Sequence, residues 1–217
     1  MIKTTARALA AAVLALLPLA TTITPAHAAE TLSLHDAIEA LPQAAESRDG
    51  YERTKFKHWI DEDKDGCNTR AEVLIDEALT PPNIGPGCKL TGGAWLSYYD
   101  DKVVDGPSGL DIDHMVPLAE AWDSGASQWT AARRQAYAND LGSERSLVAV
   151  TARSNRQKAD QDPATWMPPA ADAQCTYLAD WVGTKLRWSL TVDRNERDTL
   201  RALAVDCEDT DVEYERV

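Results

Sequence analysis

The longest apolar run of the chain stands at its very start. A short basic opening with Lys3 and Arg7 leads into it and the small-residue stop Ala26-His27-Ala28 closes it, the pattern of an export leader over residues 1–28. Pro18 inside the run and the threonines after it argue against a permanent membrane anchor, so residues 29–217 read as the mature, exported chain. From 31 to 60 the apolar positions keep helical spacing, interrupted at Pro42 and Gly50, which predicts two short helices. Val73, Leu74 and Leu79 predict a further helix over 70–79, and the Pro- and Gly-rich stretch 80–90 reads as loop. Aromatic and β-branched residues over 93–104 and 109–118 predict two strands around a turn at Asp105-Gly106-Pro107. Helical spacing resumes at 118–140 with a break near Ser124-Gly125, followed by a strand over Ser146–Thr151 and a helix from 153 that Pro163 ends. Two last helices follow, 173–188 and, after the cap Asp193, 194–207. The pattern predicts one α+β domain, mostly helical, around a small β element: an N-terminal helical part, a core over about 94–160 and C-terminal helices over 171–207.

Charge narrows the partners. The chain carries a formal net charge of −13, which loss of Lys3 and Arg7 with the leader takes to −15. So acidic a protein does not attract nucleic acid as a whole; a polyanion site needs a local basic patch or a bound cation. That excludes a simple DNA-binding module but not a metal-dependent enzyme that releases its product. The four cysteines, Cys67, Cys88, Cys175 and Cys207, contain no Cys-x-x-Cys pair, and in an exported chain they favour two disulfides over zinc. Three pairings are open, and the spacings suggest Cys67–Cys88 and Cys175–Cys207, each worth about 3 kcal/mol through loop closure. A monomer with no membrane contact after leader removal is expected.

Residues 61–72, DEDKDGCNTRAE, match the EF-hand loop at Asp61, Asp63, Asp65, Gly66 and Glu72, with helical sequence expected on both sides. Cys67 and Asn68 depart from the usual residues at positions 7 and 8. Three readings stay open here: a structural Ca²⁺ site, an acidic surface turn, and a contribution to an active site.

The chemistry concentrates in SGLDIDHMVPLAEAW, residues 108–122. Asp113-His114 closes a strand, a second strand follows at Ser146–Thr151, and Asn155-Arg156-Gln157-Lys158 opens a helix. With the AND of 138–140, DPATWMPP and the late CTYLADWVGTKLRW, this order resembles the HNH, or ββα-metal, nucleases. More closely, over about residues 50–207, it resembles a secreted actinobacterial HNH family related to the C-terminal domain of GmrSD-type restriction enzymes. The resemblance implies a ββα-metal core and an endonuclease acting on DNA, and on RNA as a further substrate, that leaves 3′-hydroxyl and 5′-phosphate ends. It also implies Asp113 and Asn155 as ligands of a catalytic Mg²⁺ or Mn²⁺.

The residues make sense independently. Phosphodiester hydrolysis needs a base to deprotonate water and a cation to hold charge growing on phosphate. His114 is the only histidine set among carboxylates, and with an ordinary pKa near 6.5 it is the expected base; His35 and His58 read as structural or surface residues. Asp113 and Asn155 offer hard oxygen donors suited to Mg²⁺ or Mn²⁺. In a regular strand Asp111 and Asp113 share a face and His114 points to the other, so this assignment asks for a break in the strand, which Pro117 fits. Where related domains carry an asparagine before the second strand, this chain has Ser146, and support of the base passes to Asn139 or to backbone groups. Arg153, Arg156 and Lys158 are candidate phosphate contacts, with Arg145 beside them; the bland reading is solvated ion pairs. The tryptophans read as core, with base stacking the other use. Two readings compete with the nuclease: a non-catalytic, calcium-stabilised exported binding protein, and a phosphodiesterase for a smaller substrate.

Overall fold

A computed structural model describes residues 28–217, so residues 1–27 of the expected leader lie outside the described residues. In chain order the elements are β1 (Glu30–Ser33), α1 (Leu34–Ala40), α2 (Thr69–Asp76), β2 (Asn83–Gly85), β3 (Lys89–Thr91), β4 (Ala94–Ser97), β5 (Lys102–Asp105), β6 (Leu110–His114), α3 (Leu118–Asp123), α4 (Ala131–Ala138), β7 (Leu147–Thr151), α5 (Ala152–Lys158), α6 (Gln174–Trp188), α7 (Arg194–Ala204) and β8 (Asp211–Tyr214). The architecture is mixed α/β, its sheets being four separate antiparallel pairs: β1–β8, β2–β3, β4–β5 and β6–β7. Helices hold more residues than strands, but the β part is larger than the pattern implied.

Two hydrophobic clusters fill the molecule. The larger joins α1, α3, α4 and α6 through Leu34, Ile38, Leu118, Tyr137, Tyr177 and Trp181; the smaller packs α2 on β4, β6 and β7 through Leu74, Trp95, Ile112 and Leu147. Trp95 and Trp181 are completely buried, so the tryptophans do act as core. The indole of Trp95 finds its partner in the carbonyl of Leu74 at 2.6 Å, and that of Trp181 in Glu196 at 2.6 Å. The disulfides are Cys67–Cys88, tying α2's lead-in to the β2–β3 hairpin, and Cys175–Cys207, tying α6 to the residues after α7. β1 and β8 clasp the two ends of the described residues, in register from Glu30↔Tyr214 to Ser33↔Asp211.

Several elements differ from the pattern. The second helix expected before residue 60 is a single 3-10 turn at Arg53–Lys55 within extended chain, because Phe56 is drawn into the aromatic cluster with Trp122 and Tyr137 and Ile60 is tied to Thr69 and Asn139. The strand expected over 93–104 folds back on itself as the β4–β5 hairpin, turning at Asp101 with φ 49°. β6 therefore pairs with β7, every residue from Leu110↔Thr151 to His114↔Leu147. α5 stops at Lys158, where Ala159 takes φ 49°, well before Pro163. α7 begins as expected, the Asp193 carboxylate accepting the N–H of Glu196 at 2.7 Å.

Candidate active site

β6, β7 and α5 form a ββα unit, because β7 runs straight into α5 through Thr151, whose hydroxyl caps the helix by accepting from Ser154 N–H. α5 then packs on β6 and β7. Asn155 and Lys158 lie three residues apart and so share a helix face. Each meets one of the alternate carboxylates of β6: the Asn155 amide stands 3.3 Å from Asp111, and the Lys158 ammonium 2.7 Å from Asp113.

The two carboxylates live differently. Asp111 is partly exposed and also faces the Arg156 guanidinium at 3.6 Å. Asp113 is buried; one of its oxygens accepts from both Lys158 and the Tyr99 hydroxyl, each at 2.7 Å. Burial pushes the Asp113 carboxyl up and the Lys158 ammonium down, and each partner opposes the other's shift. Lys158 further donates to the carbonyls of His114 and Met115 at 3.0 and 2.9 Å, so it is fully buried. Expected as a phosphate contact, Lys158 is a structural cation instead, since no donor of its ammonium is left at the surface. Asn155 is hydrogen-bonded to Asp111 rather than to Asp113.

His114 stands on the other side of the pleat, and the strand shows no break before it. Its ring is buried, with Nε2 3.0 Å from the carbonyl of Ala138, the last residue of α4. Since a carbonyl only accepts, Nε2 carries the proton and Nδ1 is left as the acceptor. Burial, foremost, lowers its pKa to about 3, so the imidazole is neutral. The Trp59 ring packs against it at 5.5 Å, tilted by 31°, Tyr137 stacks at 6.3 Å and 25°, and His58 meets it edge-on at 6.4 Å. Asn139, next to the accepting carbonyl, points away from His114. Its Oδ1 accepts from Ile60 N–H and Thr69 Oγ1, and its Nδ2 donates to the carbonyls of Lys57 and Gln135. Of the two supports expected for the base, the backbone touches it and Asn139 holds the neighbouring loop. Ser146 instead donates to Asp140 at 2.7 Å, a carboxylate that also takes Arg187 and Trp188.

Of the basic candidates, Arg153 and Arg156 are exposed. Arg153, Arg145, Lys102, Gln157 and Tyr98 line an open groove of about 830 Å³ between β4–β5 and α6. Arg145 is already paired with Asp180 at 3.3 Å.

In the Asp61 loop one carboxylate oxygen each from Asp61, Asp63 and Asp65 lies within 4.8 Å of the others. Gly66 takes φ 98° and donates to Asp61 at 3.1 Å, and Asn68 caps α2 by accepting the N–H of Ala71. Glu72 has its carboxyl raised, first by burial and then by the negative charge of Asp63, Asp65 and Asp61. The leading helix of an EF-hand is absent, replaced by the extended chain around Trp59, so only the loop and the following helix match the motif.

Sequence reasoning passed over Asp111 as a donor near Asn155, and Trp59, Tyr137 and Ala138 around His114. The alternation of β6 was enough to place Asp111 on the Asp113 face; nothing local could have brought residues 59 and 137 to His114.

The family model for GmrSD restriction endonucleases, C-terminal domain, matches residues 87–203. An uncharacterised secreted protein of Arthroderma benhamiae is 40% identical over 175 residues, covering 81% of this chain and 83% of its own. No solved structure matches the chain. Among the described residues no helix is long and apolar enough to cross a membrane.

Proposed function

Because the chain belongs to the family of GmrSD restriction endonuclease C-terminal domains, a family that points to a nuclease, we propose that it is an exported, metal-dependent HNH endonuclease cutting DNA, and RNA, with little sequence specificity. The disulfides and the secreted relative favour an oxidising, extracellular setting. The observation that carries the reading is the β6–β7–α5 unit, with a neutral, backbone-anchored His114 at the end of β6 and oxygen donors of β6 and α5 on its other face.

Asp111, Asp113 and Asn155 fit a small hard cation by their donor chemistry: two carboxylates and an amide oxygen on one face, with Lys158 offsetting part of the negative charge. These residues would hold Mg²⁺ or Mn²⁺, which when bound supplies a Lewis acid for the charge growing on phosphate. His114 accepts the proton of the attacking water at Nδ1 while Nε2–H stays on the Ala138 carbonyl. The water oxygen bonds to phosphorus, the bond from phosphorus to the 3′-oxygen breaks, and that oxygen leaves as an alkoxide that takes a proton from solvent to become the 3′-hydroxyl, while the phosphate stays on the 5′ side. An imidazole of such low proton affinity is a weak base in the resting protein, but an anionic phosphate beside it raises that affinity as the reaction proceeds. Arg153 and Arg156, exposed on α5, would contact flanking phosphates.

The test is incubation of plasmid DNA and of RNA with the purified chain lacking its leader, with Mg²⁺, with Mn²⁺ and with EDTA. Nicking that needs the metal and disappears in His114→Ala is expected. No cleavage under any condition sinks the nuclease, and undiminished cleavage by His114→Ala sinks the base.

A further inference from the structure

The indole of Trp59, packed against the His114 ring at 5.5 Å with a tilt of 31°, comes from outside the span matched by the family model, since Trp59 precedes residue 87. Trp59 has a φ of 58°, a left-handed conformation that a bulky aromatic rarely takes and that persists only where its surroundings impose it. Here the chain is tied on both sides of it, at Lys57 and at Ile60. Asn139 donates to the Lys57 carbonyl at 2.8 Å and accepts the Ile60 N–H at 3.1 Å. Thr69 gives both its N–H and its hydroxyl to the Ile60 carbonyl, at 2.8 and 3.0 Å, and its hydroxyl also reaches Asn139. Asn139 directly follows Ala138, whose carbonyl holds Nε2 of His114. One short stretch of α4's end therefore anchors both the imidazole and the loop that covers it.

An imidazole free to turn about its Cβ–Cγ bond loses its fixed hydrogen bond and with it the choice of which nitrogen accepts a proton. A flat ring packed along it restricts that turn. We propose that Trp59 is a positioning residue for His114: held in a strained backbone by Asn139 and Thr69, its indole keeps Nε2 on the Ala138 carbonyl, so that Nδ1 alone accepts the proton. The role in turnover rests on the reading of His114 as the base; the fixing of the imidazole does not.

Trp59→Leu keeps apolar volume without a flat face, and Trp59→Phe keeps a flat face. Both are compared with the parent chain by plasmid cleavage with Mg²⁺ or Mn²⁺, by melting temperature, and by nitrogen NMR of the histidine side chains without substrate. The leucine variant is expected to lose about tenfold or more in kcat with KM within about twofold, and the phenylalanine variant to recover to within about threefold. His114 should show a single Nε2-protonated tautomer in the parent and in Trp59→Phe, and a mixture in Trp59→Leu. A leucine variant with the parent's tautomer and kcat overturns the proposal, as do equal losses in both variants that follow the melting temperature. The NMR needs no turnover: a parent chain that cleaves nothing defeats the nuclease reading, while the tautomer result still decides this one.

Discussion

At the scale of single residues, the group the site can least spare is one that substrate would not touch. Lys158 neutralises Asp113 where both are buried, so removing the ammonium leaves an uncompensated carboxylate in the interior. Lys158→Met is expected to cost about 3–5 kcal/mol, and adding Asp113→Asn to recover much of that. Denaturant melts of the two variants check it; an unchanged midpoint for Lys158→Met would mean that the pair is not held as a pair. The partnership was hidden in the sequence, because N-R-Q-K at a helix start looks equally suited to phosphate, and only the three-residue step from Asn155 to Lys158, laid over a strand of period two, decides which side chain turns inward. The place of His114 at a strand end after a carboxylate, by contrast, was legible. Its orientation was not: the strand runs unbroken through position 114, so the imidazole and the carboxylates occupy opposite faces of β6.

At the scale of elements, the Asp61 loop is the clearest case of a motif half realised. Its three aspartates converge and Gly66 makes the expected turn, yet the helix that should lead into it is missing. Periodicity over 51–60 suggested that helix. The chain is instead extended there because Phe56 is drawn into the aromatic cluster with Trp122 and Tyr137, and Ile60 is tied to Thr69 and Asn139. We propose that the loop holds a structural Ca²⁺, which would offset the negative charge of the three aspartates that, after burial, raises Glu72. Millimolar calcium is then expected to raise the melting temperature of the parent chain and not that of Asp61→Ala. Equal responses, or none, would leave an acidic turn pinned by Cys67–Cys88. The β4–β5 hairpin teaches the same lesson: aromatic and β-branched content announced a strand, but not that it would turn back at Asp101 and leave β6 free to pair with β7.

Across the whole molecule, pH acts through a buried cluster remote from the His114 ring's partners. Lys185 is fully buried and joins α3 to α7 through Glu120 at 2.9 Å and Glu196 at 2.7 Å. Glu46 brings a third carboxylate to within 4.8 Å of those two. One lysine cannot balance three negative charges, and Glu46 is raised to about 8, first by burial and then by Glu120. A carboxyl raised on folding stabilises fully below its unfolded pKa, and that contribution is lost as pH rises through about 8. Glu46→Gln should therefore lose less melting temperature than the parent between about pH 6 and about pH 9. Parallel curves for the two proteins would show that Glu46 is ionised throughout.

What the sequence by itself determined is local: the strand at 147–151, the cap and helix at 193–204, and a histidine set among carboxylates. Each depends on residues within a few positions of one another, where propensity, capping and period act directly. What only the tertiary structure decided is partnership over distance: that β1 meets β8, that Lys158 and Lys185 are buried on carboxylates, that Asn155 meets Asp111, and that Trp59 reaches His114. The reason is physical. A charge or a strained aromatic is tolerated in such a place only because groups far away in sequence compensate it, and no local pattern encodes that compensation.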